Sequence, residues 1–389
     1  MRFAALLPFA LASIHAASAR AGVIDVPGDQ PTIAAAVSAA SNGDTIRLAK
    51  GRHQEAVSTT KSLKFVGKPG AIWDGFFAGA QHSQLLATAN QVSVRGIEFQ
   101  NGDEVVTVVG EDAAVLDCTF RSGFYAVRIT GARARVASNR ILTMQGSDYM
   151  IDIVGQNARV EKNVMLDGYY AGIQIDALGL GTALVANNLM DTTQDDLEIV
   201  VANANAPKIL RNRLRNGFSV DQCIDATNCD DAEVRANRIE NVNYGVANGI
   251  FVQGARALVA SNVLDGIENN TGTLTCIEVA GSNATVTKNL VRDCCGGAAM
   301  QTNGVLISGQ RGRVEQNRFQ GLGGGGNDTT AIWLIGDDGR AVSNVIDRFQ
   351  DSSTFGVYVT GERAAIVNNR ITRLMDSYVI HVGGDDFTI

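Results

Sequence analysis

The chain has 389 residues, 45% of them hydrophobic and 19% charged, with 42 glycines, only 5 prolines and a formal net charge of −7. Its apolar content is ample for a large core, and its acidic balance argues against nucleic acid as a partner. Scarce proline and the lack of like-charge blocks exclude proline-rich linkers and charged tails.

Taken in chain order, the first 21 residues, MRFAALLPFALASIHAASARA, read as a secretory signal peptide. Arg2 is followed by an apolar run from Phe3 to Ile14 and by the small residues Ala17, Ser18 and Ala19 before a cleavage point. The run is too short to span a bilayer and no later segment approaches transmembrane length. The expectation is therefore a secreted or periplasmic chain whose residues 22–389 form one domain. The stretch QPTIAAAVSAASNGDTIRLAKG opens that domain with an amphipathic helix. Thr32 suits its N-cap, while Ile33, Val37 and Ala40 share one face. Such a helix would cover the exposed first layer of a stacked structure.

Downstream the sequence returns again and again to an asparagine flanked by apolar residues: RVASNRI, RVEKNVM, ALVANNLM, KILRNRL and so on to AIVNNRI. The asparagines are Asn139, Asn163, Asn188, Asn212, Asn237, Asn262, Asn289, Asn317, Asn344 and Asn369, with gaps of 24 to 28 residues; Asp117 extends the series upstream by a gap of 22. A fixed interval of this size marks stacked repeats. Apolar β-branched residues sit three positions before most of these asparagines and apolar residues two positions after, in segments as short as strands. An asparagine at a sharp turn can itself adopt left-handed backbone, and stacked copies can form an amide ladder.

A third strand precedes each asparagine unit: AVRITG, MIDIVG, GIQIDA, LEIVVA, CIDATN, GIFVQG, CIEVAG and their successors. Three short strands per repeat predict an all-β fold, a single-stranded right-handed parallel β-helix. With about 13 rungs spaced about 4.8 Å apart, the rod would be on the order of 60 Å long. Leucine-rich repeats are excluded because their L-x-x-L-x-L signature is missing. The chain stops at HVGGDDFTI soon after a strand, so an oligomer contact, a partner or that short tail is expected to cover the last rung.

The opening segment VIDVPGDQPTIAAAVSAASNGDTIRLAKGRHQEAVSTTKSLKFVGKPGA resembles the amino-terminal part of pectinesterase-type secreted β-helix proteins. The remainder resembles the β-helix repeats of the pectin-lyase-like superfamily. The resemblance implies the fold, which hosts lyases, hydrolases, esterases, epimerases and non-enzymes alike. Active-site signatures of that superfamily are absent: TTQDDLEIV only echoes a pectinesterase motif, and no lysine falls on the face considered next.

In the third strand, alternation turns one apolar column inward and the residue after each member outward. That outward column reads Arg128, Asp152, Gln174, Glu198, Asp225, Phe251, Glu278, Leu306, Trp333, Tyr358 and His381, with Asp176 and Asp196 two positions away on the same strands. Carboxylates stacked at the rung spacing must raise their pKa values or take up a cation. Glu198, Asp225 and Glu278 are the candidate acid/base residues, and Asp196, Glu198 and Asp225 are candidate ligands for Ca2+, no other cofactor being required. All seven tyrosines lie on this strand or in the loop leading into it, and rings beside carboxylates and amides suit a sugar surface. Arg128, Asp152, Gln174, Asp176, Tyr149, Tyr170, Tyr244, Phe251 and Trp333 are thus candidate substrate contacts. The functional expectation is an exported protein that binds a polysaccharide and modifies it, hydrolase- or lyase-like, through Asp/Glu chemistry. The alternative is a non-catalytic binding or adhesin-type rod, for which polar outward residues are an ordinary solvated face. None of the six cysteines stands in a CxxC or Cys/His cluster, so they read as structural thiols or local bridges.

Overall fold

The computed structural model describes residues 21–389 apart from 76–82, 145–148, 169–170, 180, 193–196, 220, 297–300, 324–327, 350–352 and 375–376. The leader segment, Tyr170 and Asp196 thus lie outside the described residues. No helix among the described residues is long and apolar enough to cross a membrane.

The chain winds as a right-handed parallel β-helix, the sense that connections between parallel strands adopt. Its three sheets have 15, 14 and 15 strands, and consecutive coils pair in parallel along each. The first sheet runs from Val23–Val26 to Ala365–Val367, the second from Gly51–Gln54 to Arg370–Thr372, and the third from Val57–Thr59 to Ser377–Val382. Each coil passes through them in that order. Inward residues of all three fill the tube with one continuous core. Phe65, Trp73, Phe99 and Phe120 stack there at centroid separations of 5.8, 5.6 and 5.2 Å, and Trp73 Nε1 donates to the Glu55 carbonyl at 2.7 Å. Farther along, isoleucine, valine and methionine take over.

The recurring asparagines form the ladder that their spacing predicts, at the corner between the first and second sheets. From Asn139 onward, each backbone N–H donates to the Oδ1 of the asparagine one coil ahead at 2.8–3.0 Å, and each Nδ2 donates to the same oxygen at 2.9–3.1 Å. Nδ2 also donates to a first-sheet carbonyl one coil behind, such as Val115 for Asn139 (2.9 Å) and Val185 for Asn212 (2.9 Å). All but Asn369 are buried, so every amide is satisfied without water.

Two expectations need correction here. The left-handed residue is the one before each asparagine: Ser138, Lys162, Asn187, Arg211, Ala236, Ser261, Lys288, Gln316, Ser343 and Asn368 have φ of 53–58°. Left-handed backbone costs about 1 kcal/mol or more in residues other than glycine and asparagine, and the side-chain ladder offsets it. Asp117 is likewise a left-handed residue, not a rung (φ 53°). The first rung is Cys118, whose N–H donates to Asn139 Oδ1 at 2.9 Å and whose Sγ donates to the Leu116 carbonyl at 3.2 Å. Burial pushes this thiol up to about 12. All six cysteines are free thiols.

Near the amino-terminal end a helix spans Ile33–Ala39, with Thr32 Oγ1 accepting from Ala35 N–H at 3.1 Å. Glu55 accepts from the N–H groups of Ile33 and Ala34 (2.6 and 2.9 Å). Lys61 donates to the carbonyls of Val37, Ser38 and Ala40 (2.9, 3.0 and 2.7 Å). Each end of the helix thus meets the charge its peptide dipoles favour, and its buried face touches the strands Val23–Val26, Thr45–Leu48 and Val57–Thr59. At the other end, Thr388 returns to the last first-sheet strand. Its N–H donates to Ala364 and its carbonyl accepts from Ile366 N–H (2.9 and 2.8 Å).

Candidate functional site

Register in the third sheet decides what its outer face carries. Val127, Ile151, Ile173, Ile199, Ile224, Ile250 and Ile277 are paired neighbours and fully buried. The residues following them stack as Arg128, Asp152, Gln174, Val200, Asp225, Phe251 and Glu278, then Leu306, Trp333, Tyr358 and His381. Asp152, Asp225 and Glu278 therefore share the expected column. Glu198 does not: Val200 takes its place, and Glu198 pairs opposite Gly172, two residues upstream.

The lower part of this face is charged and internally matched. Arg128 donates to Asp152 at 3.1 Å and to Glu104 at 3.0 Å, and its guanidinium lies 4.6 Å from the Tyr125 ring centre. Ser83 Oγ and Thr107 Oγ1 donate to the other Glu104 oxygen at 3.0 and 3.3 Å. Arg128 and Asp152 thus engage one another, and Glu104, Ser83 and Thr107 are members that alternation alone did not single out. Asp176 caps a turn, accepting from Leu178 N–H and Asn203 Nδ2 (2.9 and 3.1 Å).

Tyr149 and Glu198 meet across a whole coil. The tyrosine hydroxyl donates to Glu198 Oε2 at 3.0 Å although the two are 49 residues apart. The ring passes over Gly172, where a Cβ would lie 2.5 Å from Tyr149 Cδ1. Only glycine leaves that passage open.

Higher up, Asp225, Phe251 and Glu278 occupy three successive coils in direct register. The two residues stand two coils apart, roughly 9.6 Å between backbones by the strand spacing. Val200 lies below and Leu306 above, so both acids sit in an otherwise apolar stretch. Burial pushes both carboxyls above their ordinary values; for Asp225 the charge of Asp221 adds to the effect. One donor supports each: Thr227 Oγ1 on Asp225 at 2.5 Å, and the Asn248 amide on Glu278 Oε2 at 3.0 Å in the orientation that also lets it donate to the Ala247 carbonyl. No cation faces either acid in the column. Sequence reasoning missed Thr227 and Asn248, though Thr227 follows Asp225 by the two-residue step of a shared strand face.

The aromatic candidates divide. Phe251 lies between the acids, whereas Trp333 stands two coils above Glu278. From there rings continue: Trp333 meets Tyr358 edge-on at 5.5 Å and Tyr358 stacks on His381 at 4.7 Å. Tyr244, exposed and at φ 95°, packs edge-on against Phe218 at 6.5 Å where the second sheet leads into the third. Glu198 and Asp225 lie on neighbouring coils but in different columns, and no three His, Cys, Asp or Glu side chains among the described residues converge to hold a metal.

No protein-family model matches the chain and no curated protein matches it by sequence. Among solved structures, it is similar to a PL6 alginate lyase in complex with a trisaccharide (13% identity, TM-score 0.46, covering 93% of this chain and 88% of that one). It is also similar to PfbA, a surface adhesin of Streptococcus pneumoniae (10% identity, TM-score 0.39, 89% and 86%). A third is the receptor-binding protein of bacteriophage Det7, a podoviral tailspike (9% identity, TM-score 0.38, 95% and 76%).

Proposed function

We propose that the outer face of the third sheet binds a polysaccharide and that Asp225 and Glu278 hydrolyse it as an acid/base pair. One observation carries this reading: two half-buried carboxyls, both pushed upward by burial, flank a single aromatic side chain in one column. Phe251 would support a sugar ring by stacking on its apolar face. A carboxyl whose pKa is raised by burial is better placed to protonate the leaving glycosidic oxygen. The other, across the width of one sugar, can activate water. Separations of about 6.5–9.5 Å between the carboxyl groups suit inversion, because they leave room for that water.

Glu198, held by Tyr149 in another column, has a positioning role in this reading rather than a catalytic one. The matched cluster of Glu104, Arg128 and Asp152 would offer hydrogen bonds to sugar hydroxyls below the cleavage point. Export fits a polysaccharide substrate and remains part of the proposal. The test is turnover of a panel of polysaccharides, read both as new reducing ends and as unsaturated products. Asp225→Asn and Glu278→Gln should each lower reducing-end release by roughly 10²–10⁴-fold, with retained glycan binding. Unsaturated ends would replace hydrolysis by elimination. Glycan binding with no new ends of either kind would leave a binding rod, as the uninterrupted aromatic run above Leu306 would serve.

A further inference from the structure

The corner where the third sheet turns into the first carries one left-handed residue per coil. From Asp231 upward these are Asp231, Arg256, Asn283, Arg311, Asp338 and Arg363, all with φ of 54–60°. Where arginine follows aspartate, it reaches back one coil and grips it with two hydrogen bonds. Arg256 does so on Asp231 (2.7 and 2.8 Å), and Arg363 on Asp338 (2.8 and 3.3 Å). Arg311 follows Asn283 instead, which offers no charge. Arg311 is in no ion pair among the described residues.

The strands leaving this corner add Arg313 and Arg340, paired neighbours in the first sheet, exposed and also outside any ion pair among the described residues. Glu315 lies two residues beyond Arg313, the spacing at which Arg159 and Glu161 bond at 3.2 Å, yet Arg313 makes no such pair. Arg311, Arg313 and Arg340 line a groove of about 420 Å³ together with Asn283, Thr285 and Asp338. Asp338 is gripped chiefly by Arg363, whose hydrogen bond lowers its carboxyl from the ordinary value, with smaller attraction from Arg311 and Arg340. Three guanidiniums, none in an ion pair among the described residues, therefore face one groove against the single carboxylate of Asp338, on a chain of net charge −7.

Like charges held this close repel unless an anion joins them. Guanidinium forks match the oxygens of sulfate and phosphate esters in pairs. Arg313 and Arg340 are one coil apart, about 4.8 Å between backbones, so charged groups on a chain lying along the rod would meet them in turn. We propose that this groove binds sulfate or phosphate esters carried on a saccharide chain. The saccharide identity rests on the reading of the adjoining sheet as a glycan surface; the anion site itself does not.

The test is binding at low ionic strength of a sulfated hexasaccharide, its unsulfated counterpart, inorganic sulfate and phosphate, phosphatidylglycerol vesicles and a single-stranded oligonucleotide. The sulfated sugar should bind more tightly than its counterpart, and the arginine variants should remove that difference. Affinity should fall by more than about tenfold in the triple variant R311A/R313A/R340A. Asn283→Asp should weaken it too, by rebuilding beneath Arg311 the grip seen at Asp231, with a melting temperature no lower than that of the parent. Asp225→Asn/Glu278→Gln should bind at this groove as the parent does, so loss of the hydrolase reading would leave the result standing. Unchanged affinity in the arginine variants would overturn the site. Tighter capture of vesicles or oligonucleotide, or binding of the free ions alone, would overturn the saccharide.

Discussion

Two columns run along most of this rod and obey opposite rules. At the corner between the first and second sheets, ten asparagines repeat one residue and one bonding scheme from coil to coil. On the outer face of the third sheet, no residue is repeated between neighbouring coils from Arg128 to His381. The ladder's identity is dictated by its neighbours, since every amide but the last is buried and, between the two ends, is completed by the next asparagine. The outer column has no such obligation, and its residues differ in what they experience. Asp152 meets Arg128, whereas Asp225 and Glu278 meet Phe251 and solvent-poor apolar walls. Repetition marks what the fold requires; departure from it marks where chemistry can be placed.

The largest effect expected from this contrast is in the ladder. Asn237→Ala removes donors to the Ile209 carbonyl (2.8 Å) and Asn262 Oδ1 (3.1 Å) and deprives Asn212 of its acceptor. It should cost about 3–5 kcal/mol. Glu278→Gln on the outer column should change stability by no more than about 0.5 kcal/mol. Denaturant titration of the two variants checks the difference, and comparable losses would erase the distinction between the columns.

Phe251→Arg would convert the upper part of the outer column into a copy of the lower. A guanidinium between Asp225 and Glu278 should bring both carboxyls down from their raised values, as followed by NMR titration, and shift any pH–rate profile to the acid side. Carboxyls that stay raised would show that the apolar surroundings of Phe251 are not their cause.

The smallest effect concerns pH and stability. Because the folded-state values of Asp225 and Glu278 are raised, their contribution is fully present below the ordinary carboxyl range. It is lost as pH rises through the folded values. The double variant Asp225→Asn/Glu278→Gln should therefore melt slightly higher than the parent at pH 7 and equally at a pH below that range. Asp231 and Asp338, held low by Arg256 and Arg363, act in the opposite sense in both proteins and cancel in the comparison. A variant that melts lower at pH 7 would contradict burial as the cause of the shift.

The period and the alternation were legible because both repeat many times, and Asp152, Asp225 and Glu278 follow from them. Glu198 was misplaced for a physical reason. In LEIVVA, Leu197, Ile199 and Val201 are all apolar and inward, so a shift of two residues preserves both faces. Only backbone pairing, which sets Ile199 beside Ile173 and Ile224, decides between the two alignments. Cys118 escaped notice for a related reason: a thiol ends the amide series, and a neighbouring Asp117 imitated its continuation. The reach of Tyr149 over Gly172 depends on an empty space, which has no residue to announce it.

Because every ladder amide is completed by a copy of itself one turn away, the interior never closes and the rod has no intrinsic size. Whole turns could be spliced in or removed with the junction restored, whereas half a turn could not. Evolution and design can therefore treat the number of turns as adjustable, and with it the reach of the molecule and the stretch of polymer it can span.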